Sequence, residues 1–532
     1  MMPRVFNVIW KYILFFIFSI FCFSATDVYA KRFPYSPEKG LGEDFMDSAG
    51  KYSTHAVVEE FPLVGTPLYN VKVNDAYVGL YNDISYDGGL VHFGSFEFEN
   101  GTDITINISY YKEIENFEIL PKRGTGVKRV VRTGPNSIAI KTNRADRNLT
   151  LIVNNEPRKD VLHLFCNSIE KDAPERFCES GYRKVEKSKL HYFAPGFHDL
   201  KNILKSGDQL LIEDGWSLYL APGAVVRGRV AARESKKGVK IFGRGMMFND
   251  EENPKVIFEA AYCDGITVEG VFFHCHRPQC WQTAMSHCSN VVFEGVKILS
   301  TRYACTDGID IINCRKCQFN NTFIRSNDDA IAIKGLGSGK PEKCAPNCDI
   351  HFTNMQLWND CNCAIGIGAE SRCSLYENIS FTNSAILYSY DDPDYHEQLD
   401  ERAAMTICSL HGTFYKNIRY ENIDVYHCER LIAIGFKSDF WFGSIKGDQT
   451  TSGEIADVTF RNIRSYSDGE SSIANKIHLY GWAGSNGTCT KFVRNILFDN
   501  VRIGKRKIKN CNDKAFSECD FEKGLVKDIK FK

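Results

Sequence analysis

Four aspartates stand close together in one stretch of this sequence, YACTDGIDIINCRKCQFNNTFIRSNDDAIAIKG over 303–335: Asp307, Asp310, Asp328 and Asp329. Two apolar, strand-like pieces, Ile309–Ile312 and Ala330–Ile333, accompany the acidic clusters. Carboxylates beside low-dielectric surface cost free energy unless something uses them. A solvated turn or a Ca²⁺ site accounts for one such aspartate; the doubled pattern points to chemistry. Three carboxylates within about 10 Å of one another cannot all ionise cheaply, so one keeps a proton near neutrality. A protonated carboxyl beside an ionised one suits glycosidic cleavage, with an acid for the leaving oxygen and a base for water. No Ser/His/Asp arrangement and no His-rich pattern accompanies them, and neither a metal nor a cofactor is expected.

The elements that must position these residues form a repeat. A unit of the form apolar-x-apolar-x-Gly/Asn-apolar recurs as VKIFGRG (239–245), ITVEGVFF (266–273), VVFEGVKI (291–298) and CQFNNTFI (317–324). It returns as IHFTNMQL (350–357), ISFTNSAI (379–386), IRYENIDV (418–425), VTFRNIRS (458–465) and ILFDNVRI (496–503). The first copies recur every 25 to 27 residues and later ones every 29 to 40. One strand-like unit per short period, with no helical pattern between copies, marks a stacked solenoid. Asn or Gly at the fifth place suits a corner with left-handed backbone. The expected fold is therefore all-β, with a right-handed parallel β-helix over 186–532. Upstream, short alternating runs (Tyr69–Val73, Leu90–Phe98, Asp103–Tyr110, Ser137–Thr142, Leu149–Val153) predict an N-terminal antiparallel β-sandwich, with its linker, over 31–185. In a stacked coil, residues about one turn apart lie roughly 4.8 Å apart. Asp307 and Asp328, 21 residues apart, are thus expected on one face of adjacent coils.

Composition sets the compartment and excludes some partners. With 532 residues, 43% of them hydrophobic, and a net charge of −1, the chain is globular and has no global field to steer nucleic acid. Residues 1–30 read as a signal peptide: Arg4 and Lys11 flank the apolar run Tyr12–Ser24, and Val28-Tyr29-Ala30 forms a small-residue cleavage site. The expectation is a secreted, extracellular monomer, free of the membrane after cleavage. Of 20 cysteines, 19 lie beyond residue 30 and are expected to form mostly disulfides, with Cys166/Cys178, Cys344/Cys348 and Cys511/Cys519 as local pairs. Zinc at Cys263, Cys275, Cys280 and Cys288 with His274 and His276 is the competing reading. Six Asn-x-Ser/Thr sequons (Asn100, Asn107, Asn148, Asn320, Asn378, Asn486) fit a secreted glycoprotein.

The segment TDGIDI…NDDAIAIK resembles the catalytic core of two related β-helical glycoside hydrolase families, the polygalacturonases (family 28) and the dextranases and isopullulanases (family 49). LYLAPGAVVRG resembles early coils of the dextranase group, which also carries an N-terminal β-sandwich. The resemblance runs from about residue 60 to 500. It implies that Asp307, Asp328 and Asp329 are the catalytic aspartates of an inverting hydrolase, with Asp328 as the acid and Asp307 and Asp329 serving the water. Two departures bear on substrate. Cys363-Ala364 stand where polygalacturonases carry His-Gly, and Gly435-Phe436-Lys437 stand in place of their Arg-Ile-Lys. Lys cannot replace a bidentate Arg clamp on a uronate carboxylate, so a neutral polysaccharide of the dextran type is the expected substrate. Lys437, Glu370, Asn327, Trp281, Trp358 and Tyr303 are the candidate substrate-binding residues, with Trp441 a further platform. Asn327 is placed to orient an acid, and the rings to stack on sugar faces. A pectin hydrolase, a Ca²⁺-aided polysaccharide lyase and a non-catalytic glycan-binding β-helix are the alternatives. The aromatic- and charge-rich insertions Tyr388–Glu401 and Phe440–Ser452 are expected to wall the groove.

Overall fold

The computed structural model describes residues 45–46, 51–54, 68–84, 89–205, 207–251, 256–276, 280–300, 305–390, 402–440, 443–466, 474–485 and 487–532. The signal-like segment, Tyr303, Trp441, sequon Asn486 and the Tyr388–Glu401 insertion beyond Tyr390 lie outside these residues. The chain divides into two compact units, 1–169 and 170–532. Tyr182–Val185, assigned from sequence to the N-terminal part, pairs antiparallel with Leu190–Phe193 within the second unit.

The first unit is a sandwich of a seven-stranded and a five-stranded sheet. Alternation builds it: Val71, Val73, Ile106, Ile108, Ile138 and Ile140 from the smaller sheet meet Phe96, Phe98, Leu149, Leu151, Leu162 and Leu164 from the larger one in a shared core. One pairing departs from the antiparallel expectation. Leu90–Phe98 and Val161–Asn167 run parallel, because the chain between them crosses to other strands before returning.

The second unit is a parallel β-helix. Each middle coil sends one strand to a ten-stranded sheet and two to a 23-stranded sheet that bends around the tube. The fifth-place corner residues all have left-handed φ, among them Gly270 (74°), Gly295 (61°), Asn321 (50°), Asn354 (57°), Asn383 (51°), Asn422 (56°), Asn462 (52°) and Asn500 (55°). Their amides also bond coil to coil: Asn422 to Asn383 at 3.0 Å, Asn462 to Asn422 at 2.9 Å and Asn500 to Asn462 at 2.8 Å. The aromatic third place stacks as a column, Phe319–Phe352 at 4.6 Å, Phe352–Phe381 at 4.7 Å, Phe381–Tyr420 at 5.1 Å and Tyr420–Phe460 at 4.8 Å. Such contacts add about 0.5–1.5 kcal/mol each beyond area burial.

The ten-stranded sheet carries the acidic stretch. Its inward columns are Ile309–Ile331–Ile365–Met405–Ile432–Ile477 and Ile311–Ile333–Ile367–Ile407–Ile434–Leu479. Alternation then turns Asp310, Ala332, Gly366 and Thr406 to the opposite face.

The cysteines do not follow the disulfide expectation. Cys178, Cys344, Cys348, Cys511 and Cys519 carry free thiols, so none of the three expected pairs exists. Many thiols act instead as small apolar fillers. Cys263, Cys288, Cys314 and Cys317 are buried in the tube's core, where the Cys288 N–H donates to Cys314 Sγ at 3.2 Å. Cys166 lies in the core of the first unit's sandwich, and Cys178 packs against the cluster around Tyr192 and Tyr219 in the second unit. Among the sequons, Asn148 is buried, whereas Asn100 and Asn107 are exposed. No helix among the described residues is long and apolar enough to cross a membrane.

Candidate active site

Asp307 stands two residues before the strand Ile309–Ile312, and Asp329 two residues before Ile331–Leu336 on the next coil, directly after Asp328. The coil step here is 22 residues (Ile309 pairs Ile331), so Asp307 stacks on Asp329 rather than on Asp328. The backbone fixes this arrangement: Gln282 N–H donates to Asp307 O at 2.9 Å, and Gly308 N–H to Asp329 O at 2.9 Å. Gly308 is required by close approach, since a Cβ there would lie 2.5 Å from Ala330 O and 2.5 Å from Ile324 Cγ2.

One carboxylate oxygen from each of Asp307, Asp328 and Asp329 lies within 4.8 Å of the others. A water at about 2.8 Å from all three fits such a triangle. It is the sole convergence of three or more His, Cys, Asp or Glu ligand atoms among the described residues, so the competing zinc grouping does not assemble.

The three members differ. Asp307 and Asp329 are 3% and 8% exposed, and Asp328 is more open. Asp328 Oδ1 accepts from Asp329 N–H at 2.9 Å and from Asn362 Nδ2 at 2.8 Å, while Oδ2 accepts from Cys305 N–H at 3.0 Å. Asp329 Oδ1 accepts from Cys363 N–H at 3.1 Å. Burial raises Asp329 well above the ordinary carboxyl range, and the charges of Asp328 and Asp307 add to that. Burial likewise raises Asp307, opposed by Lys334 and reinforced by Asp310 and Asp328. Asp310 rises to about 7 through burial, again against Lys334.

Two residues in this network were not singled out from sequence. Lys334 is buried with its Nζ 2.8 Å from both Asp307 Oδ2 and Asp310 Oδ1. Asn362 is the side-chain donor to Asp328. Lys334 was legible in principle: strand alternation after the Asp pair puts Ile331 and Ile333 inside and Lys334 on the acidic face. Asn362 was not, because its reach to Asp328 depends on a loop in the following coil.

The other candidates divide. Glu370, half-exposed on Ile365–Arg372, is near enough to push up Asp310 and Asp329. Trp281 is half-exposed, with Lys334 Nζ 4.1 Å from its ring centroid. Asn327 is buried directly before the Asp pair. Trp358 does not face a groove. It is fully buried, stacked on Tyr388 at 4.8 Å, with Arg325 4.7 Å from its ring and Nε1 bonded to Asp360 at 2.9 Å. It is in register with Arg325 and shares its face, so packing rather than a sugar occupies the ring expected as a platform.

Lys437 lies three coils beyond the Asp pair along Ile331–Ile365–Met405–Ile432, about 14 Å along the tube axis at one coil spacing each, and beyond the opposite end of its strand. Its Nζ is 4.9 Å from the Tyr480 ring centroid. The insertion Phe440–Ser452 folds back in part: Phe440 and Ile445 pack against Ala369, Cys408 and Leu410.

The family model for glycosyl hydrolases family 28 matches residues 243–519, just over half of the chain. An endopolygalacturonase D of Aspergillus niger is 24% identical over 209 residues, and a probable endopolygalacturonase D of Aspergillus flavus is 27% identical over 209. Each alignment takes in 39% of this chain and 35% of the relative, so the chain spans about a third of the length of these curated relatives. Among solved structures, Dex49A from Penicillium minioluteum superposes with a TM-score of 0.62 at 13% identity, covering 92% of this chain and all of that one, a likeness of fold. On the extent of the family match, this chain belongs to glycosyl hydrolases family 28.

Proposed function

We propose that this protein is a secreted hydrolase of a neutral polysaccharide, working by aspartate general acid–base catalysis with inversion. The convergence of Asp307, Asp328 and Asp329 within 4.8 Å carries the catalytic part. The trio retains a proton because Asp307 and Asp329 are buried among like charges. That one shared proton passes from the buried pair to Asp328, the most open member, which delivers it to the glycosidic oxygen and leaves Asp307 and Asp329 ionised. Asp307 and Asp329 hold the water and take its proton as it attacks the anomeric carbon. Water, proton donor and scissile bond then sit together, which supplies orientation as well as acid–base help. Asn327 borders the trio in sequence, Glu370 is near enough to act on the charge of Asp329, and Trp281 offers sugar the ring face not taken by Lys334.

The neutral substrate rests on Gly435. A Cβ at this position would lie 2.1 Å from Tyr480 Cδ2, so no side chain fits where the polygalacturonase motif has its arginine. Tyr480 with Lys437 makes a ring-and-ammonium surface suited to hydroxyls several coils from the reacting bond. The secreted monomer, free of the membrane, goes with this reading, since polymeric glycans are met outside the cell.

An acidic glycan is the second reading. Buried Arg402 favours it: its Nη1 is 3.9 Å from Cys361 Sγ, close to the loop that supplies Asn362. The deciding experiment incubates the protein with dextran, pullulan, galactan and polygalacturonate and follows new reducing ends. Release from a neutral polymer alone supports the first reading, release from polygalacturonate alone the second, and no release from any of them defeats the catalytic proposal.

A further inference from the structure

Lys334 is an unusual group to find beside a carboxylate cluster. A buried ammonium is costly to desolvate, and it persists only where fixed anions compensate it. Here the strand pattern builds its seat. Ile331 and Ile333 point into the core, while Ala332 and Lys334 point to the acidic face. Asp310 lies in register with Ala284 on one side and Ala332 on the other. These two small side chains leave the space into which the lysine folds back. The ammonium then sits 2.8 Å from Asp307 and 2.8 Å from Asp310, with the Trp281 indole 4.1 Å away as a lid. An ammonium against an indole face is itself attractive.

We propose that Lys334 is a positioning residue that keeps a negative charge on the Asp307–Asp310 pair, and so keeps Asp307 competent to take a proton from the attacking water. Asp310 is its counterweight: it anchors the lysine and competes with Asp307 for the ammonium. This inference rests on the reading of Asp307, Asp328 and Asp329 as the acid–base set. Among the described residues, the groups facing Asp307 and Lys334 are Asp310, Asp328, Asp329, Glu370 and Cys305, all acidic or neutral, which leaves Lys334 as the cation of the cluster there. Burial works against the charge on Lys334, yet the surrounding carboxylates hold it well above its ordinary value.

The proposal makes two opposite predictions. In Lys334→Met, Asp307 loses its cation, its carboxylate becomes harder to form, and the acid limb of the kcat/KM profile moves to higher pH. In Asp310→Asn the ammonium serves Asp307 alone, and the same limb moves to lower pH. Lys334→Met is further expected to lower kcat by about 10²-fold near neutral pH, with a smaller change in KM. Lys334→Arg keeps the charge and restores the position of the limb. Should Lys334→Met fail to fold, the double variant Lys334→Met/Asp310→Asn removes both partners together and is expected to keep the upward shift.

A second readout does not need turnover: the Asp307 carboxyl carbon, followed by NMR in ¹³C-aspartate-labelled protein, titrates at higher pH in Lys334→Met than in the parent. Folded variants whose limb and carboxyl titration both match the parent overturn the role of Lys334. A parent that cleaves no glycan defeats the acid–base reading instead, and the NMR titration still decides whether Lys334 controls Asp307.

Discussion

Tyr480 lies across Gly435 so closely that a single added carbon at the glycine would come within 2.1 Å of its ring. Gly435 and Tyr480 pair in register on neighbouring coils, and the proposed neutral-glycan preference makes them one specificity feature. Arginine at position 435 alone is expected to destabilise the fold by about 1–3 kcal/mol through overpacking and to add no activity on polygalacturonate. Combined with Tyr480→Gly, the ring clash is gone but the Tyr480 carbonyl oxygen, 2.5 Å from the added Cβ, remains, so the double variant is expected to recover part of the stability and still to lack uronide hydrolysis. Reducing-end assays and thermal melts on both variants check this.

Each of Asp307→Asn, Asp328→Asn and Asp329→Asn is expected to lower kcat by about 10²–10⁴-fold, the usual worth of general acid–base help. Asparagine preserves shape, so the circular dichroism spectrum should match the parent. Turnover unchanged in any of the three removes that residue from the mechanism.

The cluster also ties stability to pH. Asp310 is raised to about 7, against about 3.9 for an unfolded aspartate. The folded chain thus binds more protons than the unfolded chain between those values, and stability falls as pH rises across the window. The contribution is complete below about pH 4 and lost above about pH 7. Calorimetry should show a decline in Tm across this range that is shallower in Asp310→Asn. An identical slope would mean that Asp310 does not titrate there.

Trp358 is buried between Arg325 and Tyr388. Trp358→Ala is expected to cost about 3–5 kcal/mol of stability while leaving KM of the folded fraction near that of the parent. A large rise in KM without loss of stability would return this ring to the substrate groove.

The spacing of the trio makes the stereochemistry a sharp test. Oxygens within 4.8 Å are closer than the roughly 6.5–9.5 Å between carboxyl groups of a typical inverting pair. A shared water held by two aspartates, with the third as acid, reconciles the short spacing with inversion. The initial product, read by proton NMR within minutes, is expected to have the inverted anomeric configuration. A retained anomer would make one aspartate a nucleophile.

Repetition made the fold legible. The Gly/Asn corner and the aromatic third place recur at a period that a stacked tube alone satisfies, and the aspartates fall one coil apart within it. Asn383, Asn422, Asn462 and Asn500 occupy the left-handed corners that this pattern predicts. These are local requirements of backbone angle and burial, and local requirements leave their mark on residue type. Lys334 beside Asp307, Asn362 on Asp328, Tyr480 over Gly435 and the burial of Trp358 are contacts between coils. They depend on how many residues each coil uses: a step of 22 rather than 21 set Asp307 over Asp329. Cysteine fate was illegible for the same reason, because whether two thiols meet depends on which face of which coil carries each. The residue types were sufficient to name the chemistry, and only the stacking register decided which carboxylate meets which cation.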